Sequence, residues 1–271
     1  MFQESHLAIR ETASSLVQTY QHNTRRIKEG YDLLIEADQT QNRVFSAYRP
    51  GGFHRSYVHE KEKTLKEFRV QAWRFIVNSL GIYNLMSLKR QNEFDENCTE
   101  GNLPEISRET VFAFLDDVMN GASEIVAETV REVYDYLRPG ARAYNKHKTN
   151  TKNARWYLGE KVVLTSVLDV NGHAWTTEYS MNIWRRDYLI QIDRVMHLLD
   201  GAGIPDGYLS PLVDAIQTTP YYSGASGETD YFSFKCYFNG NLHLTFKRLD
   251  LVDRLNATAL GEKILGDEEH A

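Results

Sequence analysis

GETDYFSFKCYFNGNLHLTFKRLDLVDRLN, residues 227–256, is the stretch that decides the fold of the C-terminal half. Apolar and polar residues alternate on both sides of an Asn-Gly turn signal, which is typical of a half-buried β-hairpin. The spacing of the apolar residues then changes to three and four, as it does on one side of a helix. The pattern therefore predicts a hairpin followed by a helix over residues 249–259.

The length of the hairpin turn decides which residues pair. A two-residue turn at Asn239-Gly240 would place Cys236 opposite His243 and mix the two faces. A three-residue turn over 239–241 places Cys236 opposite Leu244 and sorts apolar from polar side chains, so we predict that turn, with its last residue left-handed. The outward polar face then comprises Tyr231, Ser233, Lys235, Tyr237, His243, Thr245 and Lys247.

Apolar residues at helical spacing dominate the first half of the chain, and the second half mixes strands with helices. The predicted helices cover residues 4–38, 59–80, 83–94, 107–137, 188–199 and 211–217, with a break near Asn120-Gly121. Strands are predicted over 161–170 and 174–182, joined by a turn at Asn171-Gly172, and residues 221–227 are predicted to be flexible. We therefore predict an α+β fold, with a helical domain over residues 1–140 and an α+β domain over residues 141–271.

Composition excludes several classes of protein. The 271 residues carry a net charge of −6, and the two cysteines form no motif. The sequence lacks a signal peptide and an apolar run long enough to span a membrane, so we predict a cytoplasmic protein without a membrane partner. The histidines, cysteines and carboxylates lack the spacing of a zinc site, so we predict no metal.

A methyltransferase is also excluded. Asp200-Gly201-Ala202-Gly203 resembles part of a glycine-rich cofactor loop. It follows a predicted helix, however, whereas such loops follow a strand and open a helix. The Asp/Asn-Pro-Pro-Tyr/Phe motif of amino-methyltransferases is missing from the sequence. We therefore predict no cofactor.

Residues 138–155 reverse the charge of this acidic chain, because they include basic residues and no acidic one. One interpretation is a solvated linker between the two predicted domains. The other is a loop that contacts nucleic-acid phosphates, since clustered cations release counterions from the backbone. The basic residues of this segment are Arg138, Arg142, Lys146, Lys148, Lys152 and Arg155.

The polar face of the last hairpin has three interpretations. It is a solvated or covered sheet face, a surface that stacks on bases and attracts phosphates, or a metal-dependent nuclease site. The nucleic-acid-binding candidates on this face are Lys235, Tyr237, His243 and Lys247. The catalytic candidates are Glu228, Asp230, Lys235 and His243.

Three stretches carry a family resemblance: SHLAIRETASSLVQTYQHNTRRIKEGYDLLIEA, VMHLLDG and the hairpin stretch itself. They resemble a bacterial family of unknown function whose members are carried on prophages, genomic islands and other mobile elements. Some members are fused to N6-adenine DNA methyltransferase domains, and others lie near antirestriction and type IV toxin–antitoxin genes. The resemblance implies an accessory protein connected with DNA modification or defence, and it supplies no catalytic residues.

Together, the sequence and the resemblance lead to one main hypothesis and two alternatives. The main hypothesis is a non-enzymatic accessory protein that binds DNA, RNA or a protein partner of the host or the mobile element. The alternatives are a metal-dependent nuclease or toxin-like enzyme, and an antidefence factor that binds only protein. The sequence leaves the oligomeric state open.

Overall fold

The computed structural model of the protein describes residues 2–45, 56–138, 150, 157–173, 176–202, 210–219 and 224–261. The chain packs into two compact units, the first comprising residues 1–85 and 89–122 and the second residues 86–88 and 123–271. The predicted boundary between residues 140 and 141 lies outside the described residues and stays a prediction. Packing assigns residues 123–138 to the C-terminal unit.

The N-terminal unit is built from helices. Their bounds are α1 (Phe2–Phe45), α2 (Tyr57–Ser79), α3 (Ile82–Leu85), α4 (Leu88–Glu100) and α5 (Arg108–Asn120). Helices α1 and α2 run antiparallel, since Tyr20 stacks on Phe68 at 5.1 Å while Tyr31 hydrogen-bonds Thr64 at 2.8 Å. The helix predicted over residues 83–94 is wrong as one element, because the chain breaks between α3 and α4.

Helix α5 begins with a capping box. The Thr110 N–H donates to Ser107 Oγ at 3.1 Å, and the Ser107 N–H donates to Thr110 Oγ1 at 2.9 Å. Two backbone donors that helix formation leaves unpaired are thereby satisfied. The helix ends at Asn120, so the break expected near Asn120-Gly121 is confirmed.

The C-terminal unit combines helices with two antiparallel sheets. In chain order its elements are α6 (Ala122–Leu137), β1 (Lys161–Leu164), β2 (Leu168–His173), β3 (Thr176–Met181), α7 (Ile183–Asp200), α8 (Pro211–Thr218), β4 (Ser226–Glu228), β5 (Phe232–Cys236), β6 (Leu242–Phe246) and α9 (Leu249–Leu260). Strands β1, β6, β5 and β4 form one sheet in that order, and β2 pairs with β3. The predicted α+β class is confirmed.

The strand predicted over residues 161–170 is divided. It breaks at Ser166, whose φ of 56° is left-handed, and β1 pairs with β6 of the last hairpin. Strand β2 pairs with β3, and Asn171 lies opposite Glu178 inside that ladder. The turn predicted at Asn171-Gly172 is therefore wrong. The flexibility predicted for 221–227 is wrong at its end, where β4 begins.

The last hairpin forms with a register that differs by two residues from the predicted one. Cys236 lies opposite Leu242 rather than Leu244. The turn has three residues, but they are 238–240, and the left-handed residue is Gly240 with a φ of 79°. Because side chains alternate with a period of two, this shift keeps every side chain of β5 and β6 on its predicted face.

The apolar face of the four-stranded sheet packs into one hydrophobic cluster with α6, α7, α8 and α9. Phe232, Leu242 and Leu244 on the sheet, and Leu189 on α7, are completely buried in it. Burial of such side chains contributes about 1.5–3 kcal/mol each relative to leaving them exposed. The opposite face is therefore free to carry polar residues. Within the described parts of the chain, no helix has the length and hydropathy to cross a membrane.

Candidate functional site

The polar face of the four-stranded sheet presents two rows of side chains that cross the strands. In the row nearer the hairpin turn, Val163, His243, Lys235 and Ser226 follow one another from β1 to β4. In the second row the order is Lys161, Thr245, Ser233 and Glu228. The strands lie about 4.8 Å apart, so each row is about 14 Å long between its end residues.

These rows line a groove with a volume of about 710 Å³. Lys161, Lys235 and Glu228 are exposed at its surface, and Val163, His243 and Thr245 are half-buried. Tyr237 borders the groove at the end nearest the hairpin turn. The groove thus has two cations, one carboxylate and an aromatic end.

Two rings and a cation meet at the aromatic end. The Tyr237 and His243 rings lie 4.4 Å apart at 44°, and Lys235 Nζ lies 5.5 Å from the centre of the Tyr237 ring. The structure therefore brings together Lys235, Tyr237 and His243, as predicted. A ring face beside a cation is suited to stacking on a planar ligand group while the cation attracts an anion.

Lys247 does not join this group. Its Nζ donates to the Thr229 carbonyl at 2.8 Å and lies 3.5 Å from Glu228 Oε2, outside the groove lining. Glu228 lines the groove, whereas Asp230 is exposed and does not. Of the predicted catalytic residues, Glu228, Lys235 and His243 therefore share one groove.

Tyr231 is wrongly predicted to face outward. It precedes β5 and is 5% exposed, and its hydroxyl donates to Asp200 Oδ2 at 2.9 Å. Its ring also packs edge-on against His197 at 4.6 Å. Burial, together with the hydrogen bond to Asp200, raises the pKa of Tyr231 to about 12. Tyr231 therefore belongs to the packing between the sheet and α7.

Two buried amides hold the segment that contains β1. Asn150 Oδ1 accepts from the Val163 N–H at 2.8 Å, and its Nδ2 donates to the carbonyls of Val163 and Leu137 at 3.1 Å each. Asn256 pairs in the same way with the N–H and the carbonyl of Leu158, at 2.9 and 3.2 Å. These amides satisfy backbone groups of that segment, and the Asn150 amide also satisfies the Leu137 carbonyl at the end of α6.

A second polar site lies away from the groove, where α7 meets the start of α8. Asp193 is 1% exposed, and its Oδ2 accepts from the Leu212 N–H at 3.2 Å. Its Oδ1 has no hydrogen-bond partner among the described residues. Burial raises the pKa of Asp193, and the Leu212 N–H, nearby His197 and Ser210 oppose that shift.

The remaining predicted site residues, Arg142, Lys146, Lys148, Lys152 and Arg155, lie outside the described residues. Arg138 at the start of that segment lies 3.3 Å from Asp135, so its charge is partly neutralised. Among the described residues, no three histidines, cysteines or carboxylates come close enough to hold a metal ion.

Sequence comparison supplies the family. The profile of the domain of unknown function DUF4942 matches residues 65–264, which is most of the chain. The chain belongs to the DUF4942 family. A search of curated proteins and a search of solved structures each gave no match.

The DUF4942 match covers every residue that lines the groove and every strand of the sheet. The groove therefore lies within the part of the chain that matches the DUF4942 profile. All of α1 lies before the matched region. Sequence reasoning missed Lys161, because its strand was predicted to pair with residues 174–182 and not with β6. No local signal marks it, since the sequence KVVL does not alternate polar and apolar residues as β6 does.

Proposed function

We propose that this protein is an accessory protein of a mobile genetic element that binds nucleic acid through the polar face of its four-stranded sheet. In this proposal Tyr237 and His243 stack on bases, and Lys235 and Lys161 attract phosphates. The protein needs no methyltransferase activity of its own for this role. The basic segment over residues 138–155 is a second proposed phosphate contact.

One observation carries the proposal: an aromatic pair and two lysines lie on the same exposed sheet face. Sheet-based readers of single strands use aromatic side chains as stacking platforms and nearby cations as backbone contacts. Neither Lys161 nor Lys235 forms an ion pair with another described residue. Both ammonium groups are therefore available to an anionic ligand.

The context of a mobile element rests on the resemblance given above. Members of such a family that are fused to DNA methyltransferases, or lie near antirestriction genes, work where nucleic acid is modified or attacked. A nucleic-acid-binding accessory fits that context, and it also fits a chain whose net charge of −6 confines attraction to local patches.

Fluorescence anisotropy with labelled single-stranded DNA and RNA tests the proposal. We expect Lys161→Gln and Lys235→Gln each to weaken binding and to flatten the dependence of log K on log salt by about 0.7. Tyr237→Leu is expected to weaken binding by about 1–3 kcal/mol per stacked base. The labelled strand is expected to stay intact with Mg²⁺ present.

Matched controls separate local from general effects. Lys89→Gln removes the same charge from an exposed lysine of α4, and Tyr57→Leu removes a half-buried tyrosine at the start of α2. Both variants should bind as the wild type does. Equal losses in control and groove variants, or no binding by the wild type, would overturn the proposal.

A further inference from the structure

The charges of the groove are separated across the sheet. The two cations of the groove, Lys161 and Lys235, lie on β1 and β5. Its carboxylate, Glu228, lies on the edge strand β4. Lys161 and Glu228 occupy opposite ends of one cross-strand row. A bound polyanion would therefore meet attraction over β1, β6 and β5, and repulsion over β4.

Glu228 also forms an ion pair with a further cation, Lys247. Lys247 Nζ lies 3.5 Å from Glu228 Oε2, and the Thr229 carbonyl holds the same ammonium at 2.8 Å. The Glu228 side chain is 75% exposed and that of Lys247 is 41% exposed. An exposed pair of this kind contributes only about 0–1 kcal/mol to stability. The main consequence of Glu228 is thus electrostatic, at the rim of the groove.

The attractive part of the face is small. From β1 to β5 it crosses two strand spacings, about 10 Å, and it ends at the Tyr237–His243 pair. Four-stranded sheets that read RNA through aromatic residues stack two or three bases. Bases in a duplex are paired and stacked on one another, so their ring faces are unavailable to Tyr237 and His243.

We propose that Glu228 limits the nucleic-acid-binding surface at β4, so that the groove binds a single strand of about two or three nucleotides. Lys247 then makes no contact with the bound strand. This inference rests on the proposed function and names the substrate class and the limit of the site. Glu228 acts as a specificity-determining residue: it repels the next phosphate and keeps Lys247 paired.

The test uses oligothymidylates of two to eight nucleotides with the full-length chain. Glu228→Gln removes the repulsion and the ion pair of Lys247, whose hydrogen bond to the Thr229 carbonyl stays in place. We expect it to tighten binding of the longer oligonucleotides about fivefold at 0.1 M salt and to steepen the salt dependence by about 0.7, as one added phosphate contact would. Binding of the dinucleotide should not change. Adding Lys247→Gln to this variant should abolish the gain.

Asp253→Asn is the matched control, because it removes one negative charge from an exposed position on α9. If it tightens binding as much as Glu228→Gln does, the effect is one of net charge and the inference is wrong. The inference also fails if wild-type protein binds single strands while Glu228→Gln gives the wild-type affinity at every length. Absence of wild-type binding instead overturns the proposed function. Thermal melts of each variant exclude unfolding as the cause.

Discussion

Gly240 is the residue on which the turn of the last hairpin depends. Its φ of 79° is left-handed, and its carbonyl accepts from the N–H groups of Val167 and Leu168 at 2.9 and 3.1 Å. The turn therefore also holds the start of β2. A side chain at this position would meet both a strained backbone and the Leu168 carbonyl.

We expect Gly240→Ala to destabilise the protein by about 2–5 kcal/mol. The left-handed backbone accounts for about 1–2 kcal/mol of this cost. A Cβ would also lie 2.8 Å from the Leu168 carbonyl oxygen, and relieving such a contact costs about 1–3 kcal/mol more. Urea denaturation measures the difference in the free energy of unfolding.

Gly201→Ala separates the two causes. Gly201 has a similar φ of 73°, but a Cβ there has nothing within 4 Å. It should therefore show only the backbone cost, about 1–2 kcal/mol. Equal losses for the two variants would mean that the contact with Leu168 has no effect.

Asp193 gives a prediction about pH. Its pKa is raised by burial, so the folded state binds this proton more tightly than the unfolded chain, whose Asp pKa is about 3.9. The contribution of the Asp193 proton to the free energy of unfolding is fully present below the unfolded-state pKa. It is lost as the pH rises through the folded-state pKa. Asp193→Asn keeps an oxygen for the Leu212 N–H but carries no charge. The free energy of unfolding of Asp193→Asn minus that of the wild type should therefore increase as the pH rises from 4 to 8.

Denaturant titrations at several pH values check this, with Asp253→Asn as the exposed control. Comparing the same variant across pH cancels any constant cost of the buried amide. A difference between Asp193→Asn and wild type that stays constant from pH 4 to 8 would show that Asp193 keeps its ordinary pKa in the fold.

At the scale of elements, the last hairpin shows which structural features can be predicted from local sequence pattern. Alternation specifies which residues lie on which face, and burial of Phe232, Phe234 and Leu244 enforces it. The faces were therefore predictable. The register was not, because a shift of two residues satisfies the same alternation. Turn chemistry decided between the two registers, since Gly240 takes a left-handed backbone more readily than Asn241 does.

The pairing of strands that are distant in the sequence could not be predicted from local pattern, for a different reason. Strand β1 pairs with β6, about 80 residues later, and nothing within residues 161–170 distinguishes that partner from a neighbouring strand. The groove has Lys161 only because of this pairing. Tyr231 was misassigned because strand alternation was extended one residue past the start of β5, where its hydroxyl bonds Asp200 on α7. The positions of Lys235, Tyr237 and His243 were thus predictable, whereas those of Tyr231 and Lys247, at the ends of β5 and β6 far from the turn, were not.

Asn150 and Asn256 connect elements through side-chain amides, and no local sequence signal marks them. Asn150→Ala would leave the Leu137 carbonyl and both backbone groups of Val163 without this partner. Because an unsatisfied buried group costs about 1–3 kcal/mol, we expect a loss of about 2–4 kcal/mol in unfolding free energy after partial relaxation. Asn256→Ala should lose a similar amount.

The control for both is Asn78→Ala, which removes an exposed amide that bonds its own helix at the Arg74 carbonyl. It should change stability by less than about 0.5 kcal/mol. A loss of that small size for Asn150→Ala, measured by urea denaturation, would mean that water replaces the amide at no cost.

At the scale of the whole molecule, the balance of charge restricts how a polyanion binds. The chain has 37 acidic and 31 basic residues, so its overall field repels nucleic acid. Attraction must therefore come from local cationic groups. The slope of log K against log salt gives the number of phosphate contacts that these groups make. With Lys161 and Lys235 alone, the slope of log K against log salt should be about −1.4. Adding the five cations Arg142, Lys146, Lys148, Lys152 and Arg155 would bring it to about −5.

We expect the steeper slope, because the basic segment is proposed to contact phosphates as the sheet face does. Replacing Lys146, Lys148 and Lys152 together by Gln should then weaken binding and flatten the slope by about 2, since each lost contact removes about 0.7. Anisotropy titrations between 0.05 and about 0.3 M salt measure both effects over the range where such contacts dominate. A wild-type slope near −1.4 that this triple variant leaves unchanged would remove the segment from the proposal. The sheet face would then be the whole contact, because its cations alone account for that slope.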